Sequence, residues 1–164
     1  MKLFSLPTNI KQAIVAASCI LFFAAPASAL QLKPVEVAPG IYAFIGETGM
    51  RSYENEGMNA NAGFIVTGAG VVVVDSGPTY QVAKAMHAEI KKITKQPVKY
   101  VINTGGQDHR WLGNGYFKEQ GAQILASSKL KADLEERGAM QLAGLKNELK
   151  EKIAGTTPVY PDKY

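Results

Sequence analysis

The chain has 164 residues, 46% of them hydrophobic, a single cysteine and a formal net charge of +4. That is enough for one domain with a packed core, and too small a basic excess to mark a nucleic-acid surface. Lysine and glutamate interleave in stretches such as KLKADLEER and LKNELKEK, the pattern of solvated helix faces, so nucleic acid is set aside as a partner.

The first 29 residues read as a secretory signal peptide. Lys2 and Lys11 form a positive lead, Ala13 to Ala25 are almost all apolar, and Ala27-Ser28-Ala29 is a small-x-small cleavage signal. The apolar run falls short of the roughly 20 residues that a membrane span needs. Ala16-Ala17-Ser18-Cys19 faintly suggests a lipidation box, but the apolar run continues past Cys19 to Ala25, which disfavours it. Cleavage after Ala29 sends residues 30–164 to the periplasm or beyond as one partial domain with no membrane attachment. The mature chain then carries +2 and no cysteine, which excludes disulfides and thiolate ligands or nucleophiles.

In the mature chain, Ile41 to Gly46 and Asn61 to Thr67 are β-rich runs. The polar stretch GETGMRSYENEGMNA between them is a loop, where Gly57, Asn59 and Asn61, with Gly63 just beyond, supply loop and hairpin chemistry. The run VVVVD, four β-branched residues before Asp75, reads as a strand buried on both faces. Gly77-Pro78 marks a helix start, with Gly77 as a cap, and Val82, Met86, Ile90 and Ile93 recur at helical spacing over Thr79 to Thr94. His87 falls at the edge of that apolar face and is expected at a boundary or on the surface.

Gln96-Pro97 stops this helix, and VKYVIN is the next strand. A short helix at Gly115 to Gln120, a strand in AQILAS and a long helical region from Leu130 to Ile153 follow, the last weakened by Gly138 and Gly144 and capped by Gly155. The fold class is therefore layered α/β. Between VKYVIN and the short helix lies NTGGQDHRWLGN, at a strand's carboxyl end, where open α/β sheets gather ligands. Asp108 and His109 are its candidate metal ligands, and Trp111 is expected to pack beneath it. Gly105 and Gly106 form no phosphate-loop pattern.

The segments APGIYAFIG, NANAGFIVTGAGVVVVDSGP and PVKYVINT, followed by a loop ending in LGNGYF, resemble the amino-terminal half of the metallo-β-lactamase superfamily. The likeness is greatest to exported members associated with quinoprotein and sulfur-oxidation systems, and it runs from about Val35 to Asp162. It implies an αββα sandwich of which this chain supplies the amino-terminal half only. A half-sandwich would expose a broad apolar sheet face, to be covered by a second copy or a complementary chain. It also implies zinc as cofactor, held by a Thr-His-x-His-x-Asp-His loop at Thr104 to Arg110, whose metal lowers the pKa of a bound water to about 7.

In an ungapped register on Leu112-Gly113-Asn114, that pattern finds Gly105 and Gln107 for the first two histidines, His109 for the aspartate and Arg110 for the last histidine. A gapped register keeps Asp108 and His109 as the Asp-His pair but places Thr104 and Gly106 at the earlier histidines. The ungapped register is favoured, because gaps in short loops at strand ends are rarer than substitutions. Asp75 matches an aspartate that supports the metal loop from the strand below, and a turn role explains it equally well.

Zinc binding is therefore expected to be weak or absent. Two functions remain open. One is a hydrolase-like protein, inactive alone, serving as a binding or accessory protein or standing as the product of a truncated gene. The other is a zinc-dependent hydrolase whose atypical site uses Asp108 and His109, completed by a partner chain. The superfamily holds several hydrolase classes, and the fold selects no substrate among them.

Overall fold

The computed structural model of the protein describes residues 30–164; the signal peptide expected at residues 1–29 lies outside them. Six strands form one sheet in sequence order: β1 (Val35–Ala38), β2 (Ile41–Phe44), β3 (Ala62–Thr67), β4 (Gly70–Val74), β5 (Val98–Asn103) and β6 (Gln123–Ala126). The first four run antiparallel, and β5 and β6 then join in parallel. Parallel neighbours need crossovers. Helix α1 (Tyr80–Ile93) makes the first, the short helices α2 (Asp108–Trp111) and α3 (Asn114–Glu119) make the second, and α4 (Lys131–Leu149) follows β6.

Most elements fall where the hydrophobic periodicity places them, with local differences. Gly77 does not cap α1. Thr79 does, its hydroxyl accepting from the Val82 N–H at 3.1 Å. Strand β1 escapes the pattern because VEVA is short and exposed at every position, an edge strand with no buried stripe to reveal it. The segment read as a loop at residues 103–114 is half helical.

Helix α1 turns Val82, Ala83, Met86 and Ile90 onto the sheet, where they meet Phe44, Phe64, Val71, Val73, Val101 and Ile124, all at most 1% exposed. Each such side chain contributes roughly 1.5–3 kcal/mol on leaving water. His87 joins this core. It is 8% exposed, with Nδ1 2.9 Å from the Tyr116 hydroxyl, so the expected boundary position is corrected to a buried one. His87 lies at the edge of the helix's apolar stripe, and α3 closes over that edge and buries it.

A second cluster joins Trp111 and Leu112 to Leu134, Leu145 and Leu149 of α4. Gly138 has a role here beyond weakening its helix: a Cβ at this position would lie 2.9 Å from Trp111 Cη2. The indole fits against α4 because that side chain is missing.

Only one face of the sheet is covered among the described residues. Val71 and Val73 are fully buried, whereas Val72 and Val74, on the opposite face, are partly exposed. This corrects the reading of VVVVD as buried on both sides. The strand pairings place Ile41, Ile65, Val72, Tyr100 and Gln123 in one row across the open face, and Val35, Ala43, Gly63, Val74, Ile102 and Leu125 in the next, with Lys163 bridged beside Leu125.

Candidate functional site

The loop after β5 is fixed from below by buried amides. Asn103 and Asn114 exchange side-chain hydrogen bonds at 2.9 and 3.0 Å, and the Ser76 hydroxyl donates to Asn114 Oδ1 at 2.8 Å. Asn103 Nδ2 also donates to the Arg110 carbonyl at 3.0 Å, and Asn114 Nδ2 to the Val159 carbonyl at 2.9 Å. All three residues are at most 2% exposed. Buried amides satisfied in this way set the loop's path, because any slip would leave polar groups unpaired in the core. Gly113 completes the fit: its N–H donates to Gly77 at 2.9 Å, and a Cβ there would lie 2.1 Å from the Ser76 carbonyl oxygen.

Asp75 follows β4 at φ +61° and is 3% exposed. Its Oδ1 accepts from the Thr104 N–H at 2.7 Å and its Oδ2 from the Thr104 hydroxyl at 2.7 Å. The Arg110 guanidinium donates to that same Oδ2 at 3.0 Å and to the Thr104 hydroxyl at 2.7 Å. Asp75, Thr104 and Arg110 thus form one closed ion-pair network beneath the loop.

Asp108 opens α2 and is 7% exposed. Its Oδ1 accepts from the His109 N–H at 2.9 Å and lies 3.4 Å from His109 Nδ1, while its Oδ2 is paired with the Arg51 guanidinium. Burial pushes this carboxyl up, but the hydrogen bond from His109, the Arg51 charge and the His109 N–H outweigh it and hold the group below the usual aspartate value. Arg51 also donates to Glu148 of α4 at 2.9 Å, so the β2–β3 loop is clamped across the site. From the other side, Gln141 donates to the Gly106 carbonyl at 2.7 Å and accepts from the Trp111 indole at 2.9 Å. Trp111, fully buried, does pack beneath the loop.

The residues singled out in the sequence therefore separate into two groups. Asp75 and Arg110 meet; Asp108 and His109 stand side by side, and Asp108 is paired with Arg51. Gln107 turns back over Gly105, where a Cβ would lie 2.6 Å from Gln107 Oε1 and 2.8 Å from Arg110 Cδ. Among the described residues, no three His, Cys, Asp or Glu side chains come together in a group that could hold a metal ion. Arg51 and Glu148 escaped the sequence reading: they sit in a polar loop and a solvated helix, and only the fold brings them to Asp108.

A family model described as the metallo-beta-lactamase superfamily matches residues 55–162. Among solved structures, a metallo-beta-lactamase from Pontibacter korlensis is similar at 18% identity with a TM-score of 0.57, over 81% of this chain and 52% of that one. One from Hirschia baltica is similar at 18% identity and 0.54, over 65% and 48%. A third, from Pseudomonas aeruginosa in its mono-zinc form, is similar at 16% identity and 0.57, over 70% and 50%. At such identities the likeness concerns the fold, and this chain spans about half the length of the structures it matches. The match to the family model covers most of the sheet, the crossover helices and the loop after β5, and on that ground the chain belongs to the metallo-beta-lactamase superfamily.

Proposed function

We propose that this chain is an exported, non-catalytic member of the superfamily, a binding or accessory protein that hydrolyses nothing by itself. The observation that carries the reading is the double occupation of the loop's carboxylates by arginine: Arg110 on Asp75 and Arg51 on Asp108. A guanidinium stays charged at every physiological pH and matches a carboxylate with a planar fork. A zinc ion at Asp108 would have to displace Arg51 and sit beside its charge, with His109 as the one neighbouring nitrogen donor. Structural and catalytic zinc sites use three or four protein ligands. The residues present do not fit such a centre, and no hydrolytic step is assigned to them.

Metal analysis after exposure to zinc and gel filtration tests this directly. The expected content is well below one equivalent per chain. Stoichiometric zinc that disappears in a His109→Ala variant would instead establish the atypical site of Asp108 and His109. Export is tested separately by amino-terminal sequencing of protein recovered from the periplasm or medium, which should begin at Leu30.

A further inference from the structure

The segment from Glu47 to Glu56, between β2 and β3, reaches the loop after β5 and the end of α4 without joining the core. None of its side chains belongs to either hydrophobic cluster, and Met50 is 85% exposed. What holds it down is charge. Arg51 is paired with Asp108 and donates to Glu148 at 2.9 Å, and the Tyr53 hydroxyl donates to Glu151. Lys152 lies 3.2 Å from Glu56, donates to the Tyr53 carbonyl at 3.0 Å and stands 4.1 Å from the centre of the Tyr53 ring.

The segment is also one unit in itself. Asn55 is 1% exposed; its Oδ1 accepts from the Ser52 and Gly57 N–H groups at 2.8 and 2.9 Å, and its Nδ2 donates to the Met50 carbonyl at 2.9 Å. The Glu47 N–H donates to the Met58 carbonyl at 3.0 Å, so the two ends meet, as in compact loops packed by their own side chains. Turning points flank the knot. A Cβ on Gly49 would meet nothing within 4 Å, and Glu56 sits at φ +51°, a region that non-glycine residues rarely adopt. Lys150, which faces the Tyr53 ring from the end of α4, sits at φ +53°. Both sides of the contact thus hold backbone strain that opening relieves.

We propose that Met50 to Glu56 is a strap latched by charge, which opens as a unit and governs access to Asp108. Segments with few buried apolar contacts open at a much lower free energy than the whole fold. Salt weakens the latch, since the Debye length falls from about 30 Å at 0.01 M to about 3 Å at 1 M, while apolar burial in the sheet and α1 is not screened. Asp75 and Asp108 supply the contrast. Both are buried and arginine-paired, but the arginine on Asp75 comes from its own loop and the arginine on Asp108 comes from the strap. Opening therefore uncovers Asp108 and leaves Asp75 covered. This device concerns access to the loop and holds whether or not the chain is catalytic.

Hydrogen exchange and carbodiimide coupling of glycine ethyl ester to carboxyl groups, both read by mass spectrometry on protein from cells expressing the full chain, provide the test. Between about 20 mM and about 1 M NaCl, amides of the strap should exchange roughly tenfold faster while those of β4 and α1 change little. Labelling of Asp108 should rise with them, and labelling of Asp75 should not. Arg51→Met should show the open behaviour already at low salt. Lys152→Met loosens the latch without touching Asp108, so faster labelling of Asp108 in that variant reports opening rather than a lost partner; unchanged exchange in β4 and α1 confirms that each variant is folded. Strap exchange that ignores salt and both variants overturns the proposal, as does a strap that opens while Asp108 stays unlabelled. So does labelling of Asp108 that rises in Arg51→Met alone.

Discussion

The Arg110 guanidinium lies 3.0 Å from Asp75 Oδ2, and both groups hold the Thr104 hydroxyl between them. The pair unites the turn after β4 with the loop after β5, the junction where the family places its metal loop. Asp75 is almost fully buried while a third of the Arg110 side chain is exposed, so solvent screens one partner and not the other. Removing the arginine leaves a buried carboxylate with only Thr104 to satisfy it.

Arg110→Ala is therefore expected to destabilise the fold by about 2 kcal/mol, below the 3–5 kcal/mol typical of a fully buried pair that loses one partner. Asp75→Ala should cost more than Asp75→Asn, because φ +61° is a backbone region that asparagine tolerates and alanine does not. Urea denaturation of the three variants checks both statements. An Arg110→Ala protein as stable as the parent would show that the pair adds nothing.

The loop's substitutions also depend on one another. A Cβ on Gly105 would meet Gln107 Oε1 at 2.6 Å and Arg110 Cδ at 2.8 Å, so a histidine at 105 must push both flexible side chains out of their present positions. In the ungapped register these are the three positions where histidines are replaced. The variant Gly105→His/Gln107→His/Arg110→His should bind zinc at micromolar concentration and gain thermal stability with zinc, since a ligand that binds only the folded state raises its stability. Each single variant should bind none. Equilibrium dialysis and thermal melts with and without zinc decide it, and a folded triple variant that ignores zinc would favour the gapped register that aligns Asp108 and His109.

The sheet and α1 were legible in the sequence because their periods are local. VKYVIN gives β5 to the residue, and the spacing from Val82 to Ile93 gives the helix. What was not legible depends on distance in the chain. Arg51 reaches Asp108 across 57 positions, and nothing in MRSYENEG announces it. Asp75 was legible only through the family pattern, since a lone aspartate after a strand reads equally as a turn residue. VVVVD differs from its sequence expectation because periodicity reports the burial a strand is suited to, whereas the described residues cover one side of it.

His87 makes stability depend on pH. Burial, with a smaller contribution from Lys91, lowers its pKa from the ordinary 6.5, and Nδ1 of the ring is hydrogen-bonded to the Tyr116 hydroxyl in the core. Below about pH 6.5 the unfolded chain takes up a proton that the folded chain rejects, so this contribution is complete above that pH and is lost as pH falls toward the lowered folded value. The urea midpoint should drop between pH 7.5 and 5.5 in the parent and change less in His87→Gln. Equal slopes in the two proteins would remove His87 as the cause.

Two glycines separate close approach to backbone from close approach to a side chain. At Gly113 an added methyl would sit 2.1 Å from the Ser76 carbonyl oxygen, a backbone atom tied into the junction of β4 and the loop. At Gly138 it would sit 2.9 Å from Trp111 Cη2, part of a ring that can tilt. Gly113→Ala must therefore push two chain segments apart and break the Gly113 to Gly77 hydrogen bond, at a cost of about 3 kcal/mol or more. Gly138→Ala gains helix propensity of up to about 1 kcal/mol, which offsets part of the clash, so its net loss should stay near 1 kcal/mol. Trp111 is the chain's sole tryptophan and is fully buried, so its fluorescence distinguishes the two cases. Gly138→Ala should shift the emission of the folded protein with little change in urea midpoint, and Gly113→Ala should lower the midpoint sharply. The reverse ranking would mean that the indole, rather than the backbone junction, is the rigid element around which this loop is built.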